Sequence, residues 1–128
     1  MNSLRLYKKE KLCSLTAIER LFSPSAGGNN SIMAYPWRCV WRRRDADDRR
    51  PDCPQFVIVV PKRRLRHAVD RVRMRRVMRE AYRLNRDAMP PDTAVDLAFI
   101  YVADRLTDFR AAEKSVKKIF TRLSMPSK

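Results

Sequence analysis

In residues 55–60 the side chains are almost all apolar and mostly β-branched, follow one another without alternation, and end at Pro61. Strands that are buried on both faces of a sheet have this pattern, so the run predicts a central strand. A further strand is predicted over residues 94–102. Between the two, the spacing of apolar residues changes to that of a helix over about residues 68–86, which ends before Pro90. The chain is therefore expected to fold as a sheet packed by helices.

Residues 32–43 show a period of two. One face of a predicted strand carries Met33, Tyr35, Trp37, Cys39 and Trp41, and the other face carries Arg38 and Arg42. Proline cannot donate to a ladder, so Pro36 is expected at an edge position or a bulge. The charged residues 45–52 would form a hairpin connection to the next strand.

Helical spacing marks both ends of the chain. Leu15, Ile18 and Phe22, with a capping box at Thr16 and Glu19, predict a short first helix. A closing helix with Thr107 as its cap is predicted from an apolar stripe of Leu106, Phe109, Ala112, Val116, Ile119, Phe120 and Leu123, with Arg110, Lys114, Lys117, Lys118 and Arg122 on its other side. We expect a single domain over residues 1–128, with flexible loops at about 23–31 and 44–54 and a tail at about 124–128.

The charge of the chain indicates its partner. There are 29 Lys and Arg against 14 Asp and Glu, a formal charge of +15, while 45% of the residues are hydrophobic. A folded body this small and this basic is expected to bind a polyanion. No stretch resembles a membrane span or a signal sequence, so we expect a cytoplasmic protein without a membrane partner.

Few residues could carry metal or acid–base chemistry. Cys13, Cys39, Cys53 and His67 match no usual zinc spacing, so reduced thiols and no bound metal are expected. The one carboxylate cluster, in residues 45–52, includes two arginines, which favours ion pairing in solvent. We therefore predict no catalytic residue in this chain.

The helix predicted over residues 68–86 separates its side chains into two faces. Its buried arc of about 120° would hold Met74, Val77, Met78, Ala81 and Leu84. The opposite side would hold Arg71, Arg73, Arg75, Arg76, Arg79, Arg83 and Arg86. Glu80 is the only residue between Arg71 and Arg86 whose charge would reduce the repulsion among them. Like charges four residues apart cost about 0.2–0.5 kcal/mol per pair, and nucleic-acid phosphates would neutralise them. A merely solvated basic face is the alternative.

Val72 lies at the centre of this arginine face. It would touch a base, a sugar or another part of the protein, or it would simply be an isolated exposed valine. The sequence leaves these readings open.

The segment Ala68 to Glu80, AVDRVRMRRVMRE, resembles the signature of the ribonuclease P protein family, Arg-Asn-Arg-x-Lys-Arg-x-x-Arg-Glu preceded by Ala-Val. Pro61-Lys62-Arg63 stands where a strand of that family ends in Ser-Lys-Lys. Residues 8–22 look like the family's first helix region, residues 96–100 like its last strand and residues 109–123 like its closing helix. In three places the chain departs from the pattern: Val72 replaces the asparagine, residues 64–67 lack a glycine and are one residue longer, and Ile18 replaces an aromatic.

The resemblance implies an α+β fold, an α/β sandwich of α-β-β-β-α-β-α order. It would be similar to the second domain of ribosomal protein S5, with a central mixed sheet packed by helices and a left-handed crossover. It also implies the protein subunit of ribonuclease P. That subunit binds ribonuclease P RNA and precursor tRNA and needs no obligate protein partner. Mg²⁺, bound mainly by the RNA and not by the protein alone, would carry out cleavage.

The resemblance also assigns the binding residues. RNA contacts would come from Lys62, Arg63, Arg71, Val72, Arg73, Arg75, Arg76, Arg79 and Arg83, with Arg75 and Arg79 nearest the cleaved bond. The 5′ leader of precursor tRNA would lie in a cleft floored by Ile18, Phe22 and one or more of Tyr35, Trp37 and Trp41, since bases stack on aromatic rings. Core packing is the alternative and is expected for at least half of these aromatic residues, so Phe22 and Tyr35 are preferred to the tryptophans.

Two other functions remain open on the residues alone. A ribosomal or other structural RNA-binding protein with no role in cleavage would share the charge and the fold. A DNA-binding regulator could lay the arginine-rich helix in the major groove.

Overall fold

The computed structural model describes residue 18 and residues 30–43, 55–85 and 95–123. Four strands form one sheet in the order β1-β2-β4-β3: β1 (Asn30–Ala34), β2 (Trp37–Arg43), β3 (Gln55–Val59) and β4 (Val95–Tyr101). β1 and β2, and β2 and β4, pair antiparallel, whereas β3 and β4 pair parallel. The arginine helix (Ala68–Asn85) lies between β3 and β4 in the chain, and the closing helix (Phe109–Leu123) follows β4.

This arrangement confirms the predicted α+β class with a mixed sheet. The arginine helix and the closing helix have nearly the predicted bounds. Ile18 is helical, as expected for the first helix, while Phe22 and residues 44–54 and 124–128 lie outside the described residues. The loop predicted at 23–31 is shorter at its end, because β1 already begins at Asn30.

Both helices pack on the same face of the sheet, which we call the helix-covered face. The core between them is centred on Tyr82, whose ring stacks on Phe56 with centroids 4.0 Å apart. The same ring meets Phe99 and Phe120 edge-on at 5.9 and 5.5 Å. Such aromatic pairs contribute about 0.5–1.5 kcal/mol each beyond the area they bury. The rings therefore join β3, β4 and both helices into one core.

Two predictions about the strands are wrong. Residues 32–43 form a hairpin, because the chain turns at Tyr35-Pro36 and β1 pairs with β2. The turn changes which side chains face the core, so Ile32 and Ala34 are buried while Met33 is exposed. β3 is an edge strand, because β4 lies between β2 and β3, and residues 45–52 therefore do not link neighbouring strands.

The closing helix begins differently from the prediction. Asp108, not Thr107, caps it, since Asp108 Oδ1 accepts a hydrogen bond from the Ala111 amide at 3.0 Å. The Thr107 hydroxyl instead lies 3.0 Å from the Tyr101 phenol oxygen. Leu106 precedes the helix and is exposed, so it does not belong to the buried stripe.

One hydroxyl joins the closing helix to the sheet. Ser115 is buried, and its Oγ lies 2.6 Å from the carbonyl oxygen of Ala34 at the end of β1. The same oxygen is 3.0 Å from the Ala111 carbonyl one turn earlier. Thr121 offers a comparison, because it makes the within-helix bond, to the Lys117 carbonyl at 2.8 Å, from an exposed position.

We therefore expect Ser115→Ala to lower the free energy of unfolding by about 1 kcal/mol, because the buried Ala34 carbonyl would lose its donor. Thr121→Ala, the matched control, should change it by less than about 0.5 kcal/mol. Urea unfolding followed by circular dichroism measures both. Equal losses for the two variants would mean that the bond to β1 contributes nothing.

Candidate RNA interface

The arginine helix buries Met74, Met78, Ala81 and Tyr82 against the core. The buried side of the helix is shifted toward Tyr82 relative to the prediction, because the Tyr82 ring packs against aromatic residues of the core. Leu84, at the other edge of the arc, is 40% exposed and was predicted to be buried. The opposite side of the helix faces away from the sheet and carries most of the arginines.

Arg71 leaves the arginine face and holds the preceding turn. Its Nη1 donates to the carbonyl oxygens of Leu65 at 2.8 Å and Arg66 at 2.9 Å. Leu65 itself is buried in the core. The guanidinium group thus ties Leu65 and Arg66, near the end of the connection between β3 and the arginine helix, to the first turn of the helix.

Arg83 is paired within its own helix. Its Nε donates to Glu80 Oε2 at 3.1 Å, and its Nη2 donates to the other carboxylate oxygen. The hydrogen bond from Arg83 lowers the pKa of Glu80, so the carboxyl is ionised at neutral pH. The Glu80 carboxylate therefore pairs with Arg83, and Arg79 also lowers its pKa without forming an ion pair with it.

Four arginines make up the rest, and we call them the arginine ridge: Arg73, Arg75, Arg76 and Arg79. Arg73, Arg76 and Arg79 are exposed, and Arg75 is half-buried at the flank of the helix. None of the four makes a hydrogen bond or an ion pair with another residue of the described part of the chain. Their positive charge is therefore available to a partner.

Val72 lies among these arginines with 36% of its surface exposed. Lys62 and Arg63 are exposed in the turn just before the arginine helix, where the Arg64 amide donates to the Pro61 carbonyl at 3.0 Å. The predicted RNA-binding residues thus form one outward surface that runs from this turn along the arginine helix. Arg71 and Arg83 border it but already have partners inside the protein.

The other face of the sheet, which we call the second face, carries a separate apolar cluster. Val40 and Ala98 are buried there, and Ile18, Val57 and Ile100 pack around them. Val40 and Val57 are the direct neighbours of Ala98 on the two adjoining strands. Ile18 thus covers the second face from outside the sheet.

Charged and polar residues continue the second face at both ends of this cluster. Arg38 pairs in register with Ile100 and is exposed. At the other end, Arg42 and Gln55 flank the buried Asp96 on the neighbouring strands. The second face therefore combines a small apolar floor with two arginines.

The tryptophans do not line the second face, which corrects their assignment to a cleft. Trp37 has no exposed surface, and its ring meets Tyr101 edge-on at 4.9 Å inside the core. Trp41 packs against the same core. Strand alternation places both on the helix-covered face, away from the second face, and Trp37 is fully closed off from a ligand.

Tyr35 is exposed at the turn between β1 and β2, with 62% of its surface accessible. Its carbonyl oxygen lies 3.4 Å from Ser115 Oγ, which places its backbone beside the closing helix. The structure therefore brings Ile18, but not Tyr35, into the cluster around Val40. Phe22 falls outside the described residues.

Sequence reasoning missed the residues on which Ile18 packs. Val40 is the one apolar residue between Arg38 and Arg42 on their side of the strand, and it was the available signal. Ala98 and Val57 carried no such signal, because continuous apolar strands do not show which face is free. Only the pairing of the strands brings them together.

The described residues hold no group of three or more His, Cys, Asp or Glu side chains that could bind a metal ion. Cys39 is a buried free thiol whose pKa is raised by burial. Over the same residues, neither helix has the length and apolar character needed to cross a membrane.

Comparison with known proteins gives consistent results. A family model described as Ribonuclease P matches residues 6–124. The ribonuclease P protein components of two Porphyromonas gingivalis strains are each 32% identical over 124 residues, covering 93% of this chain and 86% of theirs. The fold is similar to that of the RNase P protein of Staphylococcus aureus, with a TM-score of 0.68, 14% identity and coverage of 90% of this chain and 95% of that one. The fold is also similar to that of the RNase P protein of Thermotoga maritima, with a TM-score of 0.67, 19% identity and coverage of 88% of this chain and 96% of that one. At such low identity the structural matches show the fold alone.

The bonds of Arg71 lead to a prediction about stability. Arg71→Ala should lower the free energy of unfolding by about 1–2 kcal/mol, because the Leu65 and Arg66 carbonyls would lose a charged donor. Arg71→Lys should lose nearly as much, since an ammonium group cannot reproduce the planar fork. Arg76→Ala, from the exposed ridge, is the control and should be neutral. Chemical unfolding of the free protein measures all three variants. If Arg71→Ala left the free energy of unfolding unchanged, Arg71 would have no structural role and would count among the arginines available to a partner.

Proposed function

This chain belongs to the ribonuclease P protein family, and from that premise we propose that it is the protein subunit of ribonuclease P. It binds the catalytic RNA of that enzyme and the 5′ leader of precursor tRNA in the cytoplasm. It thereby assists the endonucleolytic cut that forms the mature 5′ end, and it needs no other protein to do so. The chemistry of hydrolysis would be supplied by Mg²⁺ bound mainly by the RNA, and no residue of this chain is proposed to hold the ion.

The arginine ridge carries this proposal. Four guanidinium groups on one helix without carboxylate partners repel one another in the free protein. Phosphates remove the repulsion, release condensed counterions and accept the guanidinium fork in a bidentate manner. The adjoining Lys62 and Arg63 extend the same surface, so the ridge and this turn dock on the catalytic RNA.

The second face supports the assignment of the leader. A single-stranded leader needs an apolar floor for its bases and cations for its backbone. Ile18 and Ile100 supply apolar surface there, and Arg38 lies at its end. This face is opposite to the helices, so the leader and the catalytic RNA contact different sides of the sheet. Phe22, which lies outside the described residues, stays a predicted aromatic member of this floor.

The ridge predicts how RNA binding responds to salt. The logarithm of the affinity falls with the logarithm of the salt concentration, and Arg75→Ala and Arg79→Ala should each reduce the size of this slope by about one unit. The reason is that each variant removes about one phosphate contact. Arg79→Lys keeps the charge and should keep the slope. Arg83→Ala should lower it less than Arg79→Ala, since Glu80 already compensates Arg83. Filter binding to ribonuclease P RNA over a salt series measures the slopes. Unchanged slopes for Arg75→Ala and Arg79→Ala would mean that the ridge does not contact the RNA.

Reconstitution separates this function from its rivals. The purified chain, added to ribonuclease P RNA at low Mg²⁺, should promote 5′ maturation of precursor tRNA. A ribosomal or other structural RNA-binding protein would bind RNA without this effect. At matched salt, structured RNA should compete for the protein better than duplex DNA, whereas a DNA-binding regulator would give the reverse order.

The cleft leads to a prediction about substrate form. Phe22→Ala should weaken binding of leader-bearing precursor tRNA more than binding of mature tRNA, by about 1–3 kcal/mol if one base is stacked. Ile18→Phe, which restores the family's aromatic, should strengthen precursor binding. Leu106→Ala, an exposed apolar residue outside the second face, is the control for lost surface area. Equal effects on precursor and mature tRNA would count against a leader cleft.

A further inference from the structure

The closing helix carries a second row of cations that the proposed function does not use. Arg110, Lys114, Lys118 and Arg122 follow one another at intervals of four residues, and all four are exposed. Lys117 is exposed beside them. We call these five residues the closing-helix cations.

The acidic residues near these cations are engaged in holding the fold. Asp108 caps the helix through the Ala111 amide at 3.0 Å. Glu113 accepts a hydrogen bond from Asn85 Nδ2 of the arginine helix at 3.1 Å. No carboxylate in the described ranges forms an ion pair with any of the closing-helix cations. The five cations are therefore free to contact a partner.

The fold does not need these cations. The helix packs through Ala112, Ser115, Val116, Ile119 and Phe120, which lie on its opposite side. Neighbouring cations at intervals of four repel, and Arg110 lies in the first turn, close to the positive end of the helix dipole. In the free protein the arrangement is therefore unfavourable, and a polyanion would relieve it.

An exposed aromatic residue lies beside the same helix. The Tyr35 carbonyl oxygen is 3.4 Å from Ser115 Oγ, and most of the Tyr35 side chain is accessible. The accessible ring thus lies at the β1–β2 turn, whereas the cations lie on the outward side of the helix, where their regular spacing suits the repeating phosphates of a nucleic-acid backbone.

From these observations we propose that the closing helix is a second RNA-binding surface, on which its cations contact the sugar–phosphate backbone of structured RNA. The α-helical rise puts cations at intervals of four about 6 Å apart, so the row from Arg110 to Arg122 extends about 18 Å. Both helices cover one face of the sheet, so a second segment of the same RNA can reach this row while the first holds the ridge. The proposal rests on the proposed function for the identity of that RNA.

The test neutralises three of the cations together in Lys114→Gln, Lys118→Gln and Arg122→Gln. The matched control keeps every charge with Lys114→Arg, Lys118→Arg and Arg122→Lys. Binding of each full-length protein to ribonuclease P RNA is measured over a salt series. The glutamine variant should lower the slope by about two to three units, and the control should keep it. When the glutamine variant is combined with Arg75→Ala and Arg79→Ala, the reductions in the slope should add, because the two surfaces are separate.

The outcomes distinguish this proposal from the one on which it rests. An unchanged slope for the glutamine variant, with lowered slopes for the ridge variants, overturns the second surface and keeps the function. Unchanged slopes for both sets overturn both. If the glutamine variant lost binding to vesicles of anionic lipid but still bound RNA like the unchanged protein, the helix would be assigned to a membrane surface, and the proposal would also be overturned.

A folding measurement completes the test. The glutamine variant loses like-charge repulsion, so the Tm of the free protein should be equal or higher. A lower Tm together with a lower slope would give the cations a structural role and contradict the proposal. Nuclease footprinting gives an independent readout: the glutamine variant should leave unprotected an RNA segment that the charge-conserving control protects.

Discussion

The packing of both helices on one face of the sheet, around the ring of Tyr82, determines where every other surface of the protein lies. Phe56, Phe99 and Phe120 each contact that ring, so β3, β4 and the closing helix are bound to one point of the arginine helix. Once this side of the arginine helix is buried, its arginines must face outward. The same packing leaves the second face of the sheet without a helix from this layer, and the segment at Ile18 covers part of it. The arginine ridge and the apolar cluster are thus placed on opposite sides by one core.

The sequence predicted the elements that depend on local periodicity. The arginine helix, the closing helix and the class of the fold follow from apolar spacing, and the structure confirms them. It could not predict which strands would be neighbours, because β4 inserts between β2 and β3 through contacts distant in the chain. The hairpin at Tyr35-Pro36 was missed for a different reason. Ile32 and Ala34 are apolar as well as Met33, so either alternation could face the core, and the turn alone decides between them.

The candidate site was predictable in composition but not in the state of each charge. A helical wheel places seven arginines on one side, yet it cannot show that Arg71 reaches back to two carbonyl groups or that Arg83 pairs with Glu80. These contacts depend on the path of the turn and on side-chain reach. Likewise, the aromatic character of Trp37 suggested base stacking, whereas its strand parity buries it beside Tyr101. Aromatic residues fill cores and bind bases for the same physical reason, so only position in the fold distinguishes the two uses.

The charge of this protein has opposite consequences for its stability and for its affinity. Each helix contains three pairs of cations at intervals of four, from Arg71 to Arg83 and from Arg110 to Arg122. At about 0.2–0.5 kcal/mol per pair, they cost the free protein about 1–3 kcal/mol in all, less where Glu80 compensates. Salt screens this repulsion and so stabilises the free fold. The same salt weakens binding to RNA, because the entropy gained when condensed counterions are released falls as the salt concentration rises. A protein built this way is least stable alone in the low-salt conditions where it holds RNA most tightly, and bound RNA then replaces salt as the source of screening.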